Sequence, residues 1–281
     1  MKEHLLQLDG FELSYYETGS PSAPTMVCLH GLAGSALYSF SELLNNLSDS
    51  FHLIAIDQPG HGKSTPFREE KDYLFSNLVH WYEKVLANII TEPFYLLGHS
   101  WGADVALHYA KQFPTQLKGI ILLDGGFTFP EFQEDMSFSN VYNGWNQYME
   151  DAKYDDWEQI VTEFNHYTNN PKFKYQLSSI FIKKEKYELI ASKFTVLSII
   201  NAFFTEAFSE TYPFIKNPLL LIHATEPEEL EHARTLGISQ LRKNIENVSV
   251  ISFPNTGHMI QWDLPEKIAD TIINWVNKME G

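Results

Sequence analysis

Phe94-Tyr95-Leu96-Leu97-Gly98-His99-Ser100-Trp101-Gly102 reads as an apolar strand running straight into a serine, with a glycine two residues to either side. The helical spacing of Ala103 to Gln112 follows immediately. A serine hydroxyl is a useful nucleophile only when it is held exposed beside a base, and a sharp strand-to-helix turn presents it that way. The flanking glycines remove the side chains that would crowd such a turn. The pattern G-x-S-x-G is weak by itself; the strand before it and the helix after it are what make Ser100 a candidate nucleophile.

Further along, the apolar run Val248 to Phe253 leads into Pro254-Asn255-Thr256-Gly257-His258. A histidine on a loop past a strand, downstream of the serine, is a candidate general base. Upstream, the strand-like Thr25-Met26-Val27-Cys28-Leu29 runs into His30-Gly31-Leu32-Ala33-Gly34-Ser35. A loop of small residues leaves backbone N–H groups free to stabilise the oxyanion of acyl transfer, at about 2.7 to 4 kcal/mol per donor. The candidate donors are the amides of Leu32 and Trp101.

With these places in hand, the chain resembles the α/β-hydrolase family from about Gly10 onward. The motifs are His30-Gly31, Asp57-Gln58-Pro59-Gly60-His61-Gly62-Lys63-Ser64, Gly98-His99-Ser100-Trp101-Gly102 and Gly257-His258. The resemblance implies a mostly parallel central sheet flanked by helices, a Ser-His-acid triad and no cofactor. It implies that Asp57 to Ser64 is a structural loop and that His99 points away from substrate. A P-loop reading of Gly62-Lys63-Ser64 fails, because its first glycine position is Asp57. The haloalkane dehalogenase route is disfavoured, since the nucleophile position holds Ser100 and not Asp.

The acid departs from the family pattern. Its usual position beyond the strand Leu219 to His223 falls on Pro227, between Glu226 and Glu228. A second source is Asp124, in Asp124-Gly125-Gly126 at the end of the strand Leu117 to Asp124, where some family members carry their acid. Asp124 is ranked first, Glu226 second and Glu228 third. The acid accepts the histidine's second N–H, fixing its tautomer and stabilising the imidazolium.

Strand patterns at Glu12 to Tyr16, Thr25 to Leu29, His52 to Ile56, Phe94 to Gly98, Leu117 to Asp124, Leu219 to His223 and Val248 to Phe253 alternate with helical ones. Helices are expected near Ser35 to Leu47, Tyr73 to Ile90, Ala103 to Gln112 and Pro265 to Lys278. This is an α/β chain with its sites at the carboxyl ends of the strands. Residues 1–126 and 217–281 form the expected core, and 127–216 an inserted helical cap. Its aromatic residues, among them Trp145, Tyr148 and Phe203, are candidate core or pocket wall.

The formal charge of −16 over 281 residues argues against nucleic acid and anionic membrane surfaces, both of which need clustered Lys and Arg. The 11 histidines include no H-E-x-x-H, and the lone Cys28 cannot pair internally, so neither a metal site nor a disulfide is expected. No signal-peptide pattern or long apolar run is seen, which gives a cytoplasmic expectation. The function expected is a serine hydrolase acting on a small, apolar carboxylic ester, with a small-molecule substrate and neither nucleic acid nor membrane as partner. The alternatives are a lyase, a synthase or a carbon–carbon hydrolase on the same site, or a non-catalytic small-molecule receptor.

Overall fold

A computed structural model describes residues 1–165, 167–168 and 170–281. Its strands are β1 (Lys2–Leu8), β2 (Phe11–Thr18), β3 (Thr25–Leu29), β4 (His52–Ile56), β5 (Phe94–His99), β6 (Leu117–Leu123), β7 (Lys153–Tyr154), β8 (Phe181–Lys183), β9 (Tyr187–Leu189), β10 (Leu219–Ala224) and β11 (Val248–Phe253). The helices are α1 (Ala36–Leu47), α2 (Phe75–Leu86), α3 (Trp101–Gln112), α4 (Phe138–Asp151), α5 (Trp157–Phe164), α6 (Phe173–Leu177), α7 (Lys193–Thr205), α8 (Glu231–Asn244), α9 (Ile260–Asp263) and α10 (Pro265–Glu280).

The main sheet runs β1-β2-β4-β3-β5-β6-β10-β11. Strands from β4 to β11 pair in parallel, while β2 joins β4, and β1 joins β2, antiparallel. Period-two alternation decides which helix covers which face. Met26 and Cys28 of β3 pack with Ala36, Phe40 and Leu43 of α1 and Ile268 and Ile272 of α10. Val27 and Leu29 point the other way, among Leu78 and Tyr82 of α2 and Val105 and Tyr109 of α3. Because both of their faces are covered, the inner parallel strands read as nearly continuous apolar runs, whereas the edge strand β11 carries Ser249 and Ser252 and is only partly buried. The order reverses between β3 and β5, opening a crevice at their carboxyl ends. The loop 30–35 and the turn at Ser100, between β5 and α3, leave the sheet there.

The structure departs from the sequence reading in several places. The edge strand β1 is absent from it, because only alternate residues of β1 are even partly buried. The turn to β2 is Asp9-Gly10, with φ of 51° and 79°, the positive pair that a tight hairpin requires. Helix α2 is shorter than Tyr73 to Ile90, since the chain is extended at Leu74 (φ −56°, ψ 137°) and Ile89 and Ile90 turn back onto Leu86 O. The segment 127–216 is not purely helical: beside α4, α5, α6 and α7 it holds a small antiparallel sheet in the order β7-β9-β8. Those strands have two or three residues each, too short for periodicity to register.

This segment is fastened to the core around the strand ends. Ser35 Oγ and Ser179 Oγ are 2.7 Å apart, Tyr73 OH and Thr195 Oγ1 3.1 Å apart, and Tyr212 OH donates to Gly126 O at 2.7 Å. Among the described residues no helix is long and apolar enough to cross a membrane.

Two helix glycines make a paired prediction. A Cβ on Gly237 of α8 would sit 1.8 Å from Phe127 O, whereas one on Gly144 of α4 would meet nothing within 4 Å. Gly144→Ala should stabilise by about 1 kcal/mol, a rise of about 2 to 4 °C in Tm. Gly237→Ala should lower Tm instead, and thermal unfolding of the two variants checks both signs.

Candidate active site

Ser100 follows β5 with φ 53° and ψ −123°, a conformation non-glycine residues rarely adopt. It persists because its neighbours lack side chains. A Cβ on Gly98 would lie 2.1 Å from Gly102 O, one on Gly102 2.1 Å from Leu29 O, and one on Gly125 2.4 Å from Ser100 O. Gly125 is a requirement that the G-x-S-x-G pattern does not reveal. Its only signal is the Asp-Gly-Gly run at the end of the neighbouring strand.

Asp124 takes a positive φ of 44° immediately past β6. Its Oδ2 accepts a 2.7 Å hydrogen bond from His258 Nδ1, and its Oδ1 accepts one of 3.0 Å from Ala224 N–H. Because a carboxylate oxygen accepts here, Nδ1 carries the proton and Nε2 is left as the acceptor. Burial alone would raise the Asp124 carboxyl. The His258 hydrogen bond and charge, aided by Ala224 N–H, outweigh it and hold the group below the usual carboxylate range.

The two glutamates go elsewhere. Glu226 takes part through its backbone, its N–H donating to Thr256 O at 3.0 Å, and its side chain has no hydrogen-bond or ion-pair partner among the described residues. Glu228 is exposed, in a short 3-10 turn. Arg234, almost wholly buried, donates to Thr225 O and Pro227 O and so holds the loop after β10, which in turn meets the His258 loop where Asn255 N–H donates to Thr225 Oγ1 at 3.0 Å.

The loop after β3 lies against the serine: a Cβ on Gly31 would be 3.1 Å from Ser100 Cβ. Ala33 N–H donates to His61 Nε2 at 3.1 Å and Ala103 N–H to Ser100 O at 2.8 Å. The N–H groups of Leu32 and Trp101 have no acceptor among the described residues.

Two buried imidazoles shape this loop. His30 Nδ1 donates to Gly31 O at 2.7 Å while its Nε2 accepts Gln58 N–H at 2.9 Å. His61 Nδ1 donates to Pro59 O at 3.0 Å, so its Nε2 is free to accept Ala33 N–H. Burial drives His30 well below its ordinary pKa and His61 to about 4, so both remain neutral and keep one acceptor each. The segment Asp57 to Ser64 therefore has a positioning part that the sequence does not announce. Asp57 itself accepts Ala36 N–H and Lys63 N–H, joining the start of α1 to the same loop.

A family profile described as alpha/beta hydrolase fold matches residues 24–265. The chain belongs to the alpha/beta hydrolase fold family. The protein phosphatase methylesterase 1 of Candida albicans is 25% identical over 287 residues, covering 94% of this chain and 71% of that protein. A serine hydrolase-like protein of Mus musculus is 33% identical over 123 residues, and an uncharacterized hydrolase of Saccharomyces cerevisiae 30% over 150. These two matches cover 44% and 53% of this chain, and the chain spans only 38% and 50% of those relatives. Among solved structures, E-2-(acetamidomethylene)succinate hydrolase superposes with a TM-score of 0.80 at 20% identity, over 98% of this chain and 99% of that one. A likeness at that identity shows the fold alone.

The buried histidines make acid stability testable. His30, His61, His99 and His108 are all depressed by burial, the last two to about 3. Below about pH 6.5 the unfolded chain binds protons that these groups refuse, so each costs about 1.4 kcal/mol per pH unit until its folded value is reached. Asp57, raised by burial to about 6, and Asp104, raised well above its ordinary value, act in the opposite sense. Four imidazoles outweigh two carboxyls, so Tm should fall from pH 7.5 to pH 5. A Tm that is constant or higher at pH 5 contradicts the neutral-imidazole scaffold.

Proposed function

We propose that this protein is a serine hydrolase that cleaves small, apolar carboxylic esters in the cytoplasm through an acyl-enzyme on Ser100. The observation that carries the reading is the 2.7 Å hydrogen bond from His258 Nδ1 to Asp124 Oδ2, beside a serine held in a strained turn. His258 Nε2 takes the Ser100 proton as Oγ attacks the ester carbonyl, and ionised Asp124 stabilises the imidazolium. The N–H groups of Leu32 and Trp101 receive the tetrahedral oxyanion. His258 then protonates the leaving alkoxide, and a water activated by the same imidazole releases the acid.

The segment 127–216 acts in this reading as a cap over the strand ends. Partly buried Phe129, Tyr142 and Trp145 pack on the same apolar cluster as Leu32, which favours an apolar acyl or alcohol group over a charged one. The names of the relatives, a methylesterase and a serine hydrolase-like protein, agree with ester cleavage by a serine.

Hydrolysis of a p-nitrophenyl ester series tests the reading. Ser100→Ala should abolish turnover, and Asp124→Asn should lower kcat by about 10⁴, the scale seen when a triad acid is amidated. Glu226→Gln should leave it unchanged. Loss of turnover in Glu226→Gln but not in Asp124→Asn would overturn the assignment of the acid.

A further inference from the structure

His99 is a buried ring that the reaction above leaves unused. It is 2% exposed, and its Nε2 lies 3.1 Å from the backbone carbonyl oxygen of His258. A carbonyl only accepts, so Nε2 bears the proton and Nδ1 is bare. Nδ1 has no partner among the described residues. The rings of His99 and His258 are 4.9 Å apart between centroids, and a Cβ on Gly31 would lie 3.2 Å from His99 Nδ1. One ring thus bonds to the loop that carries His258 and lies where any side chain on Gly31, in the loop that carries Leu32, would press on it, and it belongs to the residue next to Ser100.

We propose that His99 is a positioning residue whose Nε2–H holds the His258 carbonyl and whose ring spaces the His258 loop and the Gly31 turn about Ser100. The proposal rests on the serine hydrolase reading. The His258 side chain is 52% exposed, and Asp124 is its one hydrogen-bonded side-chain tether among the described residues. A single hydrogen bond lets an imidazole pivot; a second anchor on the same residue's backbone limits the pivot. Both anchors come from adjacent strand ends, since His99 pairs with Leu123 and Asp124 follows Leu123. His258 is therefore held by groups whose separation the sheet itself sets.

Electrostatics favour the same role. Burial depresses His99 to about 3, so no second cation stands beside His258 when the imidazolium forms. A neutral donor at this position orients the base without opposing its protonation.

The test compares wild type, His99→Phe and His99→Gln in steady-state ester hydrolysis, with Tm measured alongside. Phe keeps a ring but removes the donor, so kcat should fall by about tenfold to a hundredfold, the cost of a small misplacement, with KM within about twofold. Gln restores an N–H donor and should recover most of kcat. If His99→Phe does not fold, His99→Leu replaces it with the same expectation. Wild-type kcat in the donor-less variant, equal losses in the Phe and Gln variants, or a loss confined to KM would each overturn the proposal while leaving the hydrolase reading intact. A wild type with no Ser100-dependent turnover overturns both.

Discussion

The backbone of Ser100 is the constraint on which the rest of the site depends. A residue held at φ 53° and ψ −123° costs about 1 to 3 kcal/mol, and the surroundings must over-determine it. Here Ser100 N–H is held by Leu123 O, and Gly98, Gly102 and Gly125 allow main chain to close in where any Cβ would collide. The parallel sheet supplies the rigidity: β5 is buried along its whole length between β3 and β6. The elbow fixes where a nucleophile can stand. Everything else at the strand ends is arranged relative to that point.

Neutral hydrogen bonding supplies much of that arrangement. His30 and His61 each donate through Nδ1 to a carbonyl and accept a backbone N–H through Nε2, so each joins two stretches of main chain across the crevice. Gln58 extends the join, donating to His30 O and accepting from Tyr82 OH at 3.0 Å. A cationic imidazole would lose the accepting half of this pattern, and burial prevents that charge. Asp124, by contrast, is held below the usual carboxylate range, and the proposed mechanism uses that charge to stabilise the His258 imidazolium.

Much of this was legible in the sequence because the parallel strands are mostly apolar and end in punctuated loops. β3, β4 and β11 begin and end at the residues the pattern marks. Ser100, His258 and Asp124 were named from the elbow, the Gly-His turn and the Asp-Gly-Gly strand end, and the fold brings them to one edge. The sequence favours Asp124 without excluding Glu226, because the choice depends on the β6–β10 register, which sets Ala224 N–H against Asp124. His61 and His99 were hidden for a similar reason: each acts on backbone atoms 28 and 159 positions away in the chain. Helix α8 has no apolar signature in the sequence, because little more than Ala233, Arg234, Gly237 and Leu241 is buried along it, too thin a stripe for an apolar pattern.

Intact mass after incubation with a fluorophosphonate probe reads directly whether Ser100 is the activated nucleophile proposed above. One adduct per chain is expected, carried on the peptide that contains Ser100 and missing from Ser100→Ala. No adduct on the wild type, or equal labelling of Ser100→Ala, would contradict it.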